Sequence, residues 1–277
     1  MKIAIDAGHG LNTLGKRCLK SIDPKQTREW VLNDRIADYL TEYLKGYECT
    51  VKRVDDVTGK KDISLSNRCK TANNWGADFY LSIHHNAGIN GGTGGGVVIY
   101  TYTKTSAATN KKRDIIYNEV IAQNKLRGNR SDPTLTANFY VVKNTKMPAV
   151  LIECGFMDSK TDTPQILTDD FAKKTAKGLC NGLVKALNLK AVKKPEKEPV
   201  KETVKTEEKG MDIKKYETMN DIPEYWQDAV QWALNSKILL GTGDGKLGLT
   251  EQDIKAIVFI YRYHKSVVPS LMGIEIN

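Results

Sequence analysis

A chain of 277 residues and 30.9 kDa with 40% hydrophobic residues is long enough for one sizeable core and a small second one. The net charge of +9 predicts attraction to a polyanion. An acidic cell wall is one candidate, while no basic helix face interleaved with aromatics supports a specific nucleic acid partner. No run approaches the roughly 18–20 apolar residues of a membrane span, so no membrane span is expected.

The five cysteines (Cys18, Cys49, Cys69, Cys154, Cys180) are odd in number and lack Cys-x-x-Cys spacing. This argues against a disulfide framework and a cysteine zinc site, and predicts reduced, mostly buried thiols. The start, Met1 to Asp6, reaches an acidic residue too soon for the apolar core of a signal peptide. The expectation is a chain made in the cytoplasm without an export address.

In chain order, the short apolar run Ile3-Ala4-Ile5 predicts a first strand, ending in Asp6-Ala7-Gly8-His9-Gly10. Trp30, Ile36, Ala37, Leu40 and Leu44 carry helical periodicity across 28–45, and a strand follows at Cys49–Val54. A helix is predicted over Ser64–Trp75, then the strand Asp78–Ser82, closed by Ile83-His84-His85-Asn86. The glycine-rich stretch 91–96 lacks Gly-Lys-Ser/Thr and does not open a helix, so it reads as a flexible loop beside a site rather than a phosphate loop. It leads into a strand at Val97–Tyr100. A helix over 105–127, strands at Phe139–Val142 and Ala149–Glu153, and a helix over 169–187 complete the alternation. The pattern implies an α/β fold, an open and mostly parallel sheet flanked by helices, over residues 1–189.

Residues 190–210 are rich in Lys, Glu, Pro and Val and read as a solvated linker. Residues 211–277 predict a small, mainly helical second module. It has a helix carrying Trp226, Ala229, Val230 and Ala233, a glycine-rich turn at Gly241–Gly245 and a helix from Glu251 to about His264. So little core points to self-association as a source of stability. Any codons for Glu207-Glu208-Lys209-Gly210 give a purine-rich stretch just before Met211, similar to a ribosome-binding site. Met211 is then either an internal start yielding a free C-terminal module that pairs with the full chain, or an incidental methionine at a module edge.

Three apolar runs deliver a polar residue at their C-terminal ends, the rim where sites form in open α/β sheets. Two imidazoles and a carboxylate with an open position form a common catalytic zinc set, and His9 and His84 are the candidate imidazoles. Strand alternation turns His84 and His85 to opposite faces, so only one of them should bind. Glu29 reads from spacing alone as an ordinary helix-start acid. Glu153 follows four apolar residues at the rim of a buried sheet, where an acid is either salt-bridged or a base with a raised pKa. Asn86 and Arg68 are candidates for substrate binding, with turn capping and pairing to an acid as the competing readings.

Five separate motifs, in order, resemble the zinc-dependent N-acetylmuramoyl-L-alanine amidases of the type 3 amidase family over about residues 2–187. Ile3-Ala4-Ile5-Asp6-Ala7-Gly8-His9-Gly10 resembles the first zinc-ligand turn. Glu29 with Asn33 and its apolar helix resembles the ligand glutamate. Leu65-x-x-Arg68 and Ala72-Asn73 match the helix before the second histidine turn. Ser82-Ile83-His84-His85-Asn86-Ala87 resembles that turn, with His85 at a variable position. Met147-Pro148-Ala149-Val150-Leu151-Ile152-Glu153-Cys154-Gly155-Phe156 resembles the catalytic-glutamate strand.

The resemblance implies a Zn²⁺ held by His9, Glu29 and His84, with Glu153 as the base, and peptidoglycan as substrate. The bond cut joins the muramic lactyl group to L-alanine. Tyr225 to Ala233 with Ile238-Leu239-x-Gly241 is similar to a single S-layer-homology unit, implying wall attachment. An enzyme of this plan without a signal peptide resembles a bacteriophage endolysin of a Gram-positive host, acting on the wall after the membrane is permeabilised. A bacterial autolysin or spore-lysis amidase shares the chemistry. A zinc carboxypeptidase and a non-enzymatic wall-binding or nucleic-acid-binding protein are the other readings.

Overall fold

The computed structural model describes residues 1–192, 215–239 and 246–261, apart from 252, 255 and 259. The chain divides into two compact units, Met1–Lys197 and Glu198–Asn277. The linker beyond residue 192, Met211, the Gly241–Gly245 turn and the end of the helix expected to reach His264 lie outside the described residues. No helix among the described residues is long and apolar enough to cross a membrane.

The first unit runs β1 (Lys2–Ala7), α1 (Glu29–Leu44), β2 (Thr50–Arg53), α2 (Leu65–Trp75), β3 (Phe79–Asn86), β4 (Val98–Tyr102) and α3 (Ala107–Asn124). It continues with β5 (Thr134–Ala137), α4 (Tyr140–Asn144), β6 (Ala149–Phe156), α5 (Thr163–Ile166) and α6 (Asp169–Leu187). The six strands lie in the order β2-β1-β3-β6-β4-β5. All pairs are parallel except β4 with β6.

Alternation along the strands divides the core between the two faces. Ile3, Ile5, Phe79, Leu81, Ile83, Val150 and Ile152 face α1, α3 and α6. Ala4, Tyr80, Ala149 and Leu151 face α2 and α4. On the first face Gly178 and Gly182 bring α6 against α3, since a Cβ on Gly178 would lie 2.5 Å from Val120 Cα. Caps fix the helix starts. Ser64, Ser106 and Thr168 each accept a backbone N–H three residues on. Gly76 ends α2 in the left-handed conformation, with φ of 68°. All five cysteines are free thiols, four of them buried.

One predicted element changes type. The strand expected at Phe139–Val142 is the helix α4, and the strand that pairs with β4 is Thr134–Ala137. Val141 and Val142 both bury in the cluster that holds Cys69 and Ala72. Consecutive strand residues would point to opposite faces, whereas a helical turn sends both to one side. The stretch 91–96, expected to be a flexible loop, is fastened together with the residues just before it. Asp158 Oδ2 accepts from Gly88 N at 2.8 Å and Asn90 N at 2.7 Å, Ser159 Oγ donates to Gly94 O, and Asp162 Oδ2 accepts from Gly96 N at 2.7 Å.

The second unit, mainly helical among its described residues, contains β7 (Lys215–Tyr216), α7 (Glu224–Asn235) and β8 (Leu249–Thr250), and residues from 251 to 261 are helical where described. β7 and β8 pair antiparallel. Its core gathers Tyr216, Ile222, Ala229, Val230, Ala233, Leu249, Ile254, Ile257 and Val258.

Candidate metal and catalytic site

The parallel strands β1, β3 and β6 end side by side and place their terminal polar residues together. After β1 the chain turns sharply at Gly8-His9, and His9 takes a left-handed conformation with φ of 67°, uncommon for a residue with a Cβ. Three bonds hold the turn. Gly8 N donates to Ile83 O at 2.9 Å, Asn33 Nδ2 to Gly8 O at 3.1 Å, and Arg68 Nη2 to His9 O at 2.8 Å. Gly8 must lack a side chain, since a Cβ there would stand 2.0 Å from His84 Cε1. The His9 and His84 rings then meet edge to face, with centroids 4.9 Å apart.

Glu29 opens α1 and is 1% exposed. Its Oε1 accepts from His85 N at 3.2 Å and lies 3.0 Å from His84 Nδ1. Its Oε2 has no hydrogen-bond donor, facing His9 Nε2 at 3.4 Å and Lys16 Nζ at 3.7 Å. Burial alone would raise this carboxyl, but the imidazoles of His84 and His9 overcome it and hold Glu29 well below the usual carboxylate range.

One donor atom from each of His9, Glu29 and His84 lies within 4.8 Å of the others. A tetrahedral zinc with bonds of about 2.0–2.1 Å separates its donors by roughly 3.3 Å. The separations of 3.4 Å from His9 Nε2 to Oε2 and 3.0 Å from His84 Nδ1 to Oε1, together with a buried carboxylate oxygen lacking a donor, leave room for such an ion.

Glu153 stands opposite His84 in the β3–β6 ladder. Its Oε2 is buried without a hydrogen-bond partner. Burial pushes its carboxyl up to about 7, with Glu29 adding to the rise and His84 opposing it. A carboxyl near neutrality, beside a donor set and in a pocket with Lys16 and Asn86, is equipped to take up and return a proton.

The neighbouring candidates separate into two roles. His85 is 2% exposed and turns away from the donor set, with its Nδ1 2.8 Å from Asn33 Oδ1. Burial lowers its pKa to about 3, so it is neutral. Since Asn33 Nδ2 serves Gly8 O, its Oδ1 is the acceptor and His85 Nδ1–H the donor. His85 thus ties β3 to α1 and thereby to the His9 turn. Asn86 lies at the cleft, lining pockets on both sides.

Of the two readings of Arg68, substrate binding and pairing with an acid, the structure shows the second. It is 1% exposed and its guanidinium is consumed internally. Nη1 pairs with Asp6 and donates to Ala7 O at 2.7 Å, Nη2 reaches His9 O and Asp62, and Nε donates to Ile63 O at 2.6 Å. It supports the His9 turn. Lys16, Asp158 and Asp162 carried no motif in the sequence, because their roles arise from loops that meet only in the fold.

A family model described as N-acetylmuramoyl-L-alanine amidase matches residues 3–185. N-acetylmuramoyl-L-alanine amidase CwlM of Bacillus licheniformis is 37% identical over 191 residues, 68% of this chain and 70% of the relative. The sporulation-specific N-acetylmuramoyl-L-alanine amidase of Bacillus subtilis is 36% identical, covering 69% of each. An endolysin of Bacillus phage SPP1 is 30% identical over 190 residues, 67% of this chain and 66% of the relative. Among solved structures, an N-acetylmuramoyl-L-alanine amidase from Clostridium difficile 630 superposes with a TM-score of 0.61 at 29% identity, covering 68% of this chain and 96% of that one.

Proposed function

The chain belongs to the N-acetylmuramoyl-L-alanine amidase family, and from that premise we propose that it is a zinc enzyme with His9, Glu29 and His84 as metal ligands and Glu153 as its proton carrier. The observation that carries this reading is the meeting of His9 and His84, both half-buried at the ends of β1 and β3, with the buried Glu29 at the start of α1, next to the carboxyl of Glu153 on β6.

The bond broken is the amide C–N between the muramic lactyl carbonyl carbon and the nitrogen of L-alanine. A zinc ion held by His9, Glu29 and His84 would supply Lewis acidity for the scissile carbonyl and acidify water. Glu153 takes a proton from the attacking water as its oxygen bonds to the carbonyl carbon. It then delivers that proton to the departing nitrogen, leaving a lactyl carboxylic acid and a free alanine amine. Asn86 borders both sides of this step.

The test is mass spectrometry of peptidoglycan digested by the wild type and by Glu153→Gln, with and without chelator. Intact stem peptides with a free L-alanine amine, lost on chelation and reduced on the order of 10²–10⁴-fold by the substitution, support the reading. Unchanged cleavage in Glu153→Gln, or in chelator, refutes it.

The physiological role that we assign is that of an endolysin, which opens a Gram-positive wall after the membrane has been permeabilised, as the SPP1 relative's name suggests. The second reading, a sporulation or autolytic amidase, is favoured by the higher identity of the two Bacillus amidases. Expression timing separates them, with transcripts confined to phage induction supporting the first and to late sporulation the second. The second unit attaches the enzyme to the wall, a reading supported by its S-layer-like sequence. Removal of residues 211–277 is expected to weaken sedimentation with purified walls while sparing cleavage of a soluble muramyl peptide.

A further inference from the structure

The cleft continues past Glu153. Beyond β6 the next strand is β4, and on that side lies a pocket of about 460 Å³ lined by Asn86, Tyr100, Asn129, Arg130 and Phe156, among others. It meets the pocket that holds Glu29, His84 and Glu153 at Asn86 and Ala87. The His9 turn lies on the opposite side, where β1 and β3 end. A third pocket there includes His9, Asp62 and Ser64.

This order of groups orients a substrate. The scissile carbonyl oxygen must face the donor set, and the departing nitrogen must face Glu153, the group that reprotonates it. The muramic acid therefore extends toward His9 and Asp62, and the stem peptide toward Tyr100 and Arg130.

The far pocket is built to be rigid. The Tyr100 ring meets Phe139 at 5.0 Å and 71°. Asn129 Oδ1 accepts from Gly95 N at 3.2 Å, which ties the segment carrying Arg130 to the loop that Asp158 and Asp162 fasten. Arg130 itself is exposed. No ion pair among the described residues involves it. A guanidinium without an acidic partner, at the mouth of a polar pocket, is matched to a carboxylate brought by the ligand. Stem peptides carry such groups close to the cut bond. The second residue, D-glutamate, has an α-carboxylate that is either free or amidated, and a third-position diaminopimelate adds another.

We propose that the pocket between β4 and the 129–130 segment is the stem-peptide subsite, and that Arg130 reads a stem carboxylate there as a specificity-determining residue. This rests on Glu153 as the group that protonates the leaving amine.

The experiment measures kcat and KM on three C-terminally amidated muramyl tripeptides, in the full chain and in Arg130→Ala and Arg130→Lys. The stems are L-Ala–D-Glu–L-Lys, L-Ala–D-isoGln–L-Lys and L-Ala–D-isoGln–diaminopimelate. The wild type is expected to prefer a carboxylate-bearing stem over the D-isoGln–L-Lys stem by about tenfold in kcat/KM, chiefly through KM, the order of a charge-assisted contact. Arg130→Ala should bring that ratio near one and Arg130→Lys should retain part of it. Selectivity lost for the first stem identifies D-glutamate as the source, and for the third stem diaminopimelate. An unchanged ratio in Arg130→Ala, or an equal loss on all three stems, overturns the proposal. Glu153→Gln run in parallel keeps the premise separate, because turnover surviving in that variant overturns the orientation rather than the role of Arg130.

Discussion

Arg68→Ala tests the support of the His9 turn. The guanidinium is 1% exposed and makes five contacts, to Asp6, Ala7 O, His9 O, Asp62 and Ile63 O. Asp6 is equally buried, and its second oxygen accepts from Tyr80 Oη and Ser82 Oγ, both at 2.8 Å. Truncation leaves Asp6 as a buried carboxylate without its cation, a loss of about 3–5 kcal/mol. For a unit of this size, at roughly 2–4 °C per kcal/mol, the unfolding midpoint should fall by about 6–20 °C.

The loss must depend on pH. Burial alone would raise the Asp6 carboxyl, but Arg68, with a smaller effect of His84, holds it below its ordinary value. In the wild type its contribution is therefore fully present above the unfolded value near about 4 and is lost as pH falls through the lowered folded value. In Arg68→Ala burial is unopposed by the guanidinium and the folded value rises. The variant then loses stability as pH climbs from the unfolded value toward the folded one. Calorimetry of the full chain should show a wider gap between wild type and variant at pH 7 than at pH 4. Asp6→Asn combined with Arg68→Met should recover part of the loss by removing the uncompensated charge. A gap below about 1 kcal/mol, or one independent of pH, would refute the reasoning.

Gly8→Ala should turn His84 out of the donor set, because the new Cβ would lie 2.0 Å from Cε1. Metal content measured after dialysis should fall roughly 10–100-fold with far-UV circular dichroism unchanged. Asn33→Leu removes both the donor to Gly8 O and the acceptor of His85 Nδ1. Urea titration should show a loss of about 1–3 kcal/mol for each buried group left unpaired, and His85 should remain neutral in its NMR titration. Asp162→Ala strands the amides of Gly96 and Phe156, which its Oδ2 accepts at 2.7 and 3.0 Å. Hydrogen exchange at Gly96 should accelerate by at least about tenfold, the equivalent of ~1.4 kcal/mol, and protection equal to wild type would show that the loop is held elsewhere.

The gathering of His9, His84 and Glu153 was legible because each ends a short apolar run, and a parallel sheet brings the ends of its strands together. Alternation within β3 also required the adjacent imidazoles to part, and His84 turns to Glu29 while His85 turns to Asn33. Local pattern could not separate Glu29 from an ordinary helix-start acid. Its position is set by a long loop in which Lys16 O accepts from Glu29 N at 3.0 Å, and no spacing rule records that contact. Substrate binding and pairing with an acid both stayed open for Arg68, because burial is a property of the packed whole. Val141-Val142 read as a strand because β-branched residues favour one, whereas packing with Cys69 and Ala72 buries both side chains in one cluster.

By itself, then, the sequence determined the α/β alternation and the strand-end chemistry, since both depend on periodicities of two and 3.6 residues that the chain carries locally. Only the tertiary structure decided how Glu29 meets His9 and His84, which cations are buried and which face the cleft, and how the loop beside the site is fastened. Those depend on contacts such as Asp6 with Arg68 and Gly96 with Asp162, residues more than sixty positions apart that meet only when the sheet is assembled.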